Sequence, residues 1–284
     1  MSPPVRFRSL TLAEVRTLVG WAAREGWNPG QHDAASFWLS DPDGFLALEI
    51  DGQLAGGGGI VRHNPHFGFM GLFILEPRFR GCGWGHRLWY ERRDRLLARL
   101  SSPATIGLDA VEAMIPFYAR GGFQPYYRHV RFSGRPVPRA SAEVIDLATV
   151  DRAQIQAYDR TCFPGPRTAY LDAWLARPAG HTLAVVRDGQ LRGYGVLRQC
   201  GSGWKLGPLF ADDQEIADLL LTHAASLTGP EPILLDAPEN NPLAHALCRH
   251  HQMEPVFECT RMYLGPPPQI DDHRIFGITT MELG

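Results

Sequence analysis

Lysine is almost missing from this chain: Lys205 stands alone, and every other basic side chain is arginine. That bias is the habit of a GC-rich genome, and a bacterial source is expected. Cysteine is sparse, odd in number and scattered, at Cys82, Cys162, Cys200, Cys248 and Cys259, with no C-x-x-C pair. A disulfide framework and a C-x-x-C zinc or redox site are therefore excluded, and free thiols in a reducing compartment are expected. Charge of one sign is not in excess, with 28 Lys and Arg against 30 Asp and Glu and a net charge of −2. Such a balance supplies no bulk attraction to nucleic acid or to an anionic membrane. No stretch approaches the roughly 18 apolar residues of a membrane span, and Met1 to Arg8 has no apolar core of signal-peptide length. The expectation is a soluble cytoplasmic protein, monomer or homodimer, whose partner is a small molecule, with neither nucleic acid nor membrane involved.

What is present is enough apolar sequence, 44% of 284 residues, to build one large or two ordinary cores. The first half alternates strand and helix signals. Val5 to Ser9 reads as a strand, and Thr11 can cap a helix that carries Val15, Leu18, Val19 and Ala22 at helical spacing. Gly44 to Ile50 and Gln53 to Arg62 read as a hairpin around Asp51-Gly52. Gly56 to Gly59 inside it suggest a bulge or a close backbone approach. Phe67 to Leu75 reads as one buried strand, and the helix after it places Leu88, Trp89, Leu96, Leu97 and Leu100 toward the sheet, with Arg92, Arg93, Asp94 and Arg99 solvated. Ile115 to Arg120 is a short helix stopped by Gly121-Gly122.

The second half repeats this grammar. Thr182 to Arg198 is another hairpin, Asp213 to Leu227 a helix, and Arg261 to Leu264 and Ile275 to Leu283 closing strands. Leu108-Asp109-Ala110 and Leu235-Asp236-Ala237 each follow a strand and precede a short helix. Two copies of one fold are expected, residues 1–134 and 143–284, joined by a linker at 135–142.

The chemistry concentrates in Phe73-Ile74-Leu75-Glu76-Pro77-Arg78-Phe79-Arg80-Gly81-Cys82-Gly83-Trp84-Gly85. A buried strand runs into a glycine loop that opens a helix, so backbone N–H groups and the positive helix end can gather around a pyrophosphate. A dinucleotide fingerprint would need glycine where His86 stands, and a Walker loop would need Gly-Lys-Ser/Thr; neither occurs.

This segment resembles motif A of the GNAT acetyltransferase superfamily, a strand and turn followed by Arg/Gln-x-x-Gly-x-Gly/Ala, met here by Arg80, Gly83 and Gly85. Tyr118-Ala119-Arg120-Gly121-Gly122-Phe123 resembles the Tyr-x-x-x-Gly-Phe segment that follows in the same superfamily. The resemblance implies an α/β (α+β) architecture, tandem GNAT-like folds each with a mixed, mostly antiparallel twisted sheet flanked by helices. It implies acetyl-CoA as co-substrate, with Phe73, Ile74 and Leu75 against pantetheine and Arg80, Gly81, Cys82, Gly83, Trp84 and Gly85 around the pyrophosphate. It implies an N-acetyltransferase that moves the acetyl group directly to a small amine, with Tyr118 protonating the departing thiolate. Asp109 is the candidate base, with Glu112 and Glu76 behind it; the asparagine often found seven residues before the tyrosine is Val111 here. Trp27, Asn28 and Asp33 are candidate acceptor contacts, since the early helical region of such folds walls that site.

In the second half the loop motif is missing, and Asp212, Asp213 and Glu215 stand where a pyrophosphate would have to bind. A catalytic first half and a degenerate second half, completing the acceptor site, are expected. His245, Cys248, His250 and His251 crowd one helix but lack a second pair at ligand spacing, so no metal is expected. The rival reading is a non-catalytic acyl-CoA-binding or sensor protein, which would keep the loop and need neither acid nor base.

Overall fold

The computed structural model describes residues 4–284. The first half contains β1 (Val5–Ser9), α1 (Leu12–Arg24), α2 (Asp33–Ser40), β2 (Phe45–Ile50), β3 (Gln53–Gly59), β4 (Val61–Asn64), β5 (Phe67–Phe69), β6 (Ile74–Leu75), α3 (Trp84–Ala98), β7 (Thr105–Ala110), α4 (Ile115–Arg120) and β8 (Gln124–Gly134). The second contains β9 (Val144–Asp146), α5 (Arg152–Cys162), α6 (Thr168–Leu175), β10 (His181–Arg187), β11 (Gln190–Gln199), β12 (Trp204–Ala211), α7 (Gln214–Ala225), β13 (Ile233–Pro238), α8 (Pro242–His250), β14 (Glu254–Leu264) and β15 (Ile275–Gly277). Local chemistry sets several boundaries. Thr11 and Glu14 form a reciprocal capping box that starts α1, and Asn241 caps α8 with Pro242 at its first turn.

β1, β2, β3 and β6 make a small antiparallel sheet. A second sheet runs through both halves in the order β4-β5-β7-β14-β8-β13-β12-β11-β10-β9, with β15 also on β12; among the described residues only β5–β7 and β12–β13 are parallel. The fold is thus mixed α/β and mostly antiparallel, with helices packed on the sheets.

The two halves trade strands. β14 lies between β7 and β8, and β8 lies between β14 and β13. Registry makes the exchange symmetric: Arg261 on β14 stands opposite Asp109 on β7, and Arg131 on β8 stands opposite Asp236 on β13. Each arginine grips its aspartate with two hydrogen bonds, at 2.7 and 2.9 Å for Arg261–Asp109 and 2.6 and 2.9 Å for Arg131–Asp236. All four side chains are buried. The repeated Leu-Asp-Ala triplets are therefore the two halves of one cross-strand lock.

The strand expected over Phe67 to Leu75 is broken. Its first part pairs with β7 and its second with β3, and residues 71–73 between them lie in neither ladder, with Leu72 in a left-handed turn at φ 52°. The break opens a wedge between the two sheets. The glycine run has the close approaches expected of it. A Cβ on Gly58 would stand 2.4 Å from the Arg92 guanidinium carbon, and one on Gly71 would meet the Glu282 carbonyl. A bulge also falls in this hairpin, between Leu48 and Glu49 on β2.

Two expectations for α3 are corrected. Leu97 is exposed, and Arg92 is fully buried because it lies on the same face as Leu88, Trp89 and Leu96. At the end of the chain, β15 is shorter than the expected strand, and residues 278–284 run on as irregular but wholly buried backbone packed into the first half. His63 fastens this segment through a 2.8 Å contact between its Nε2 and the Leu283 carbonyl.

Candidate active site

The loop before α3 is built to receive an anion. Gly83 is the N-cap residue, in a left-handed conformation at φ 81° that favours glycine, and no side chain caps the helix. The first-turn N–H groups are consequently unclaimed by the protein and carry the positive end of the helix dipole. In the second half the equivalent position is closed. Asp213 caps α7 with its own carboxylate, accepting from the Ile216 N–H at 2.9 Å.

Phe73, Ile74, Leu75, Arg80 and Gly85 line one groove together with Tyr118. Gly81, Cys82, Gly83 and Trp84 complete the loop at its end. Within this set Arg80 is engaged: Nε donates to the Leu75 carbonyl at 2.9 Å, and Nη2 pairs with Glu25. It braces the loop against the strand rather than presenting a free guanidinium. The Cys82 thiol is exposed at the loop surface, 3.5 Å from the Arg80 carbonyl.

A second cavity lies inside the wedge. Trp27, Gly71, Phe73 and Tyr118 line it from the first half, and Phe257, Cys259, Met281 and Glu282 from the second. Phe73 and Tyr118 belong to both spaces, so the groove and the cavity meet at these two side chains. Tyr118 is only 8% exposed, and its ring packs 4.6 Å from that of Trp89. Burial pushes the phenol up to about 12, against an opposing pull from Arg92. It therefore keeps its proton across the neutral range and is available only as an acid.

Asp109 also borders the cavity, but the geometry does not suit a base. Burial would raise its carboxyl, yet Arg261 and His129 overcome that and hold it at about 2. Both oxygens are taken by Arg261, and His129 Nδ1 lies 3.3 Å away. A carboxylate this strongly held is a weak proton acceptor, and its work is to lock β7 to β14.

The structure separates the three expected acceptor contacts. Trp27 borders the cavity, and its carbonyl accepts from Arg131 at 2.8 Å. Asn28 instead closes a turn of the other half, donating to the Ser202 carbonyl at 2.9 Å and accepting from the Ser202 N–H at 3.0 Å. Asp33 is wholly buried, paired with Arg198 at 2.5 Å and Arg177 at 3.5 Å, and it accepts from the Gly30 N–H at 2.8 Å. Both tie the halves together away from the cavity.

Two cavity residues escaped the sequence reading. Glu282 comes from the far end of the chain and accepts from the Thr280 hydroxyl; among the described residues no arginine or lysine pairs with it. Arg92 carries a charge on the buried face of α3, where the apolar spacing of Leu88, Trp89 and Leu96 was the available signal. Of the crowded residues on and after α8, Cys248 is buried, and His251 contacts Asp218 at 2.6 Å. Asp218, His250 and His251 do approach one another, but Asp218 also binds Arg139 at 2.7 Å.

A splayed strand, an uncapped helix entrance and a phenol where groove meets cavity define an acyl-transfer fold. The chain matches the acetyltransferase (GNAT) family over residues 12–123 and an acetyltransferase (GNAT) domain over residues 155–277. It belongs to the GNAT superfamily as a tandem member and is an enzyme that transfers acyl groups. Members of this superfamily use acetyl-CoA or another acyl-CoA as co-substrate. Holothin acyltransferase of Pseudoalteromonas sp. is 26% identical over 277 residues, covering 96% of this chain and 92% of that protein. Among solved structures, one assigned to the acetyltransferases from Pyrococcus horikoshii shares 24% identity with a TM-score of 0.82, covering 99% of this chain and 96% of that one. A tandem GNAT protein from the clavulanic acid biosynthesis pathway shares 15% identity with a TM-score of 0.62, covering 93% and 100%.

Proposed function

We propose that the protein is an acetyl-CoA-dependent N-acetyltransferase that transfers the acetyl group directly to a small amine. The observation that carries this reading is the junction at Phe73 and Tyr118, where a groove leading from the open α3 entrance meets the cavity in the wedge. CoA lies in the groove with its pyrophosphate at residues 80–85, and the amine waits in the cavity. Amine nitrogen attacks the thioester carbonyl carbon, the C–S bond breaks as the tetrahedral intermediate collapses, and the Tyr118 hydroxyl gives its proton to the departing thiolate. The proton lost by the amine goes to Glu282, the cavity carboxylate that no basic side chain claims. A sensor that only bound acyl-CoA would have no use for a buried phenol at this junction. The second half holds no CoA, because Asp213 already occupies its helix entrance. The protein works in the cytoplasm as a monomer or homodimer.

The experiment is turnover of acetyl-CoA with an amine panel for wild type, Tyr118→Phe and Glu282→Gln. Tyr118→Phe is expected to lose about 100-fold or more in kcat, the scale of one acid catalyst, with the acetyl-CoA Kd unchanged. Glu282→Gln is expected to shift the rate profile toward higher pH, since the amine must then shed its own proton. Unchanged kcat in Tyr118→Phe would remove the phenol from the chemistry.

A further inference from the structure

Arg92 is a charge the reaction above does not use. It is fully buried, yet no carboxylate faces it among the described residues. Nη2 donates to the carbonyls of Gly59 and Gly71, at 2.7 and 2.6 Å, and Phe73 covers the guanidinium at 5.0 Å. Those contacts leave Nε and Nη1 without a hydrogen-bond partner. Burial lowers the guanidinium to about 10, so it remains a cation at neutral pH. Of the other charged side chains bordering this cavity, Asp109 holds Arg261 and Arg131 holds Asp236, while Glu282 accepts from the Thr280 hydroxyl and forms no ion pair with Arg92. An unpaired buried charge is costly and persists where a ligand completes it. The fold makes room for this one deliberately, because any side chain at Gly58 would strike the guanidinium.

We infer that Arg92 is the anion-binding residue of the acceptor cavity, and that the acceptor amine carries a carboxylate on an apolar body. The inference rests on the acyltransferase reading of the cavity. Arg92 and Tyr118 border the same space, and Phe73 lies between them, its ring 5.0 Å from the guanidinium and 6.5 Å from the phenol ring. The carboxylate bound at Arg92 therefore sits at the same end of the acceptor as the amine, as it does in an α-amino acid. Trp27, Trp89, Phe257 and Met281 around the cavity suit an aromatic or branched apolar side chain.

The test needs no turnover. N-acetylphenylalanine and N-acetylphenylalaninamide differ only by a carboxylate against a neutral amide, and neither has a free amine. Binding of each to CoA-saturated enzyme is measured by calorimetry, for wild type and Arg92→Gln. The acid is expected to bind wild type roughly 10- to 100-fold more tightly than the amide, the range for hydrogen bonds to a charged group, and the preference is expected to vanish in Arg92→Gln. Equal binding of acid and amide to wild type, or binding of neither, would overturn the inference even if Arg92→Gln did not fold. So would a variant that weakens both probes alike, since that is the mark of a purely structural arginine. If CoA itself does not bind while the acid still binds in an Arg92-dependent way, the acyltransferase reading fails and the anion site stands. If acetyl transfer is observed and the probes bind alike, the reverse holds.

Discussion

Single residues carry more than one duty here, and the sequence exposes only some of them. The local structure around Tyr118 and the 80–85 loop was legible because it follows from neighbours a few positions away: a strand, a glycine turn and a helix start. Asn28 and Asp33 were misread because their partners, Ser202 and Arg198, lie more than 160 residues along the chain. Asp109 was misread because its meaning comes from Arg261, its opposite number on a strand of the other half. His63 shows what such distant contacts do to stability. Burial first, and then Arg167, hold its imidazole down to about 3. A group whose folded value is depressed stabilises the fold above its unfolded value, about 6.5 for histidine, and that contribution is lost as pH falls from there toward 3. Stability should accordingly fall below pH 6.5 with a slope of up to about 1.4 kcal/mol per pH unit from this residue. Urea midpoints between pH 7 and 5 check this: the slope should flatten in His63→Leu, although that variant also gives up the contact with Leu283.

At the scale of elements, hydrophobic spacing located most strands and helices, but it could not see which sheet a strand would join. The apolar run over Phe67 to Leu75 looks continuous because both pieces are buried, each against a different neighbour. The same limit hid α6 and the true length of β14, whose outer residues 254–256 are exposed. The exchanged strands are held by two buried ion pairs, and removing one partner of such a pair leaves an uncompensated charge. Asp236→Ala, which strands Arg131, should cost about 3–5 kcal/mol in a denaturation experiment. Asp236→Ala with Arg131→Leu should recover much of that loss. If the single variant is as stable as wild type, the lock is not what joins the halves.

For the whole molecule, the strand exchange means that each half completes its sheet with a strand of the other. Residues 1–134 expressed alone would leave β7 without β14 and β8 without both its neighbours. Exposed apolar edges of this kind aggregate. The expected outcome is insoluble or oligomeric material from either half alone and a soluble monomeric pair on co-expression, read by size-exclusion chromatography. A stable monomeric 1–134 fragment would contradict this. The arrangement also gives the second half, whose helix entrance is closed, a place in the proposed site: Phe257, Cys259, Met281 and Glu282 wall the cavity that the proposal assigns to the acceptor.

The central claim is that CoA is held at the uncapped start of α3, and calorimetry of acetyl-CoA with wild type and Gly85→Asp tests it most directly. Gly85 lies in the first helical turn, where an aspartate favours the helix. Only the end of the Leu75 side chain would stand close to the new Cβ, at 3.2 Å. The variant should therefore fold while placing a negative charge against the pyrophosphate. The account predicts one acetyl-CoA site per wild-type chain and none in Gly85→Asp at an unchanged melting temperature. Failure of the wild type to bind, or equal binding by both, would contradict it.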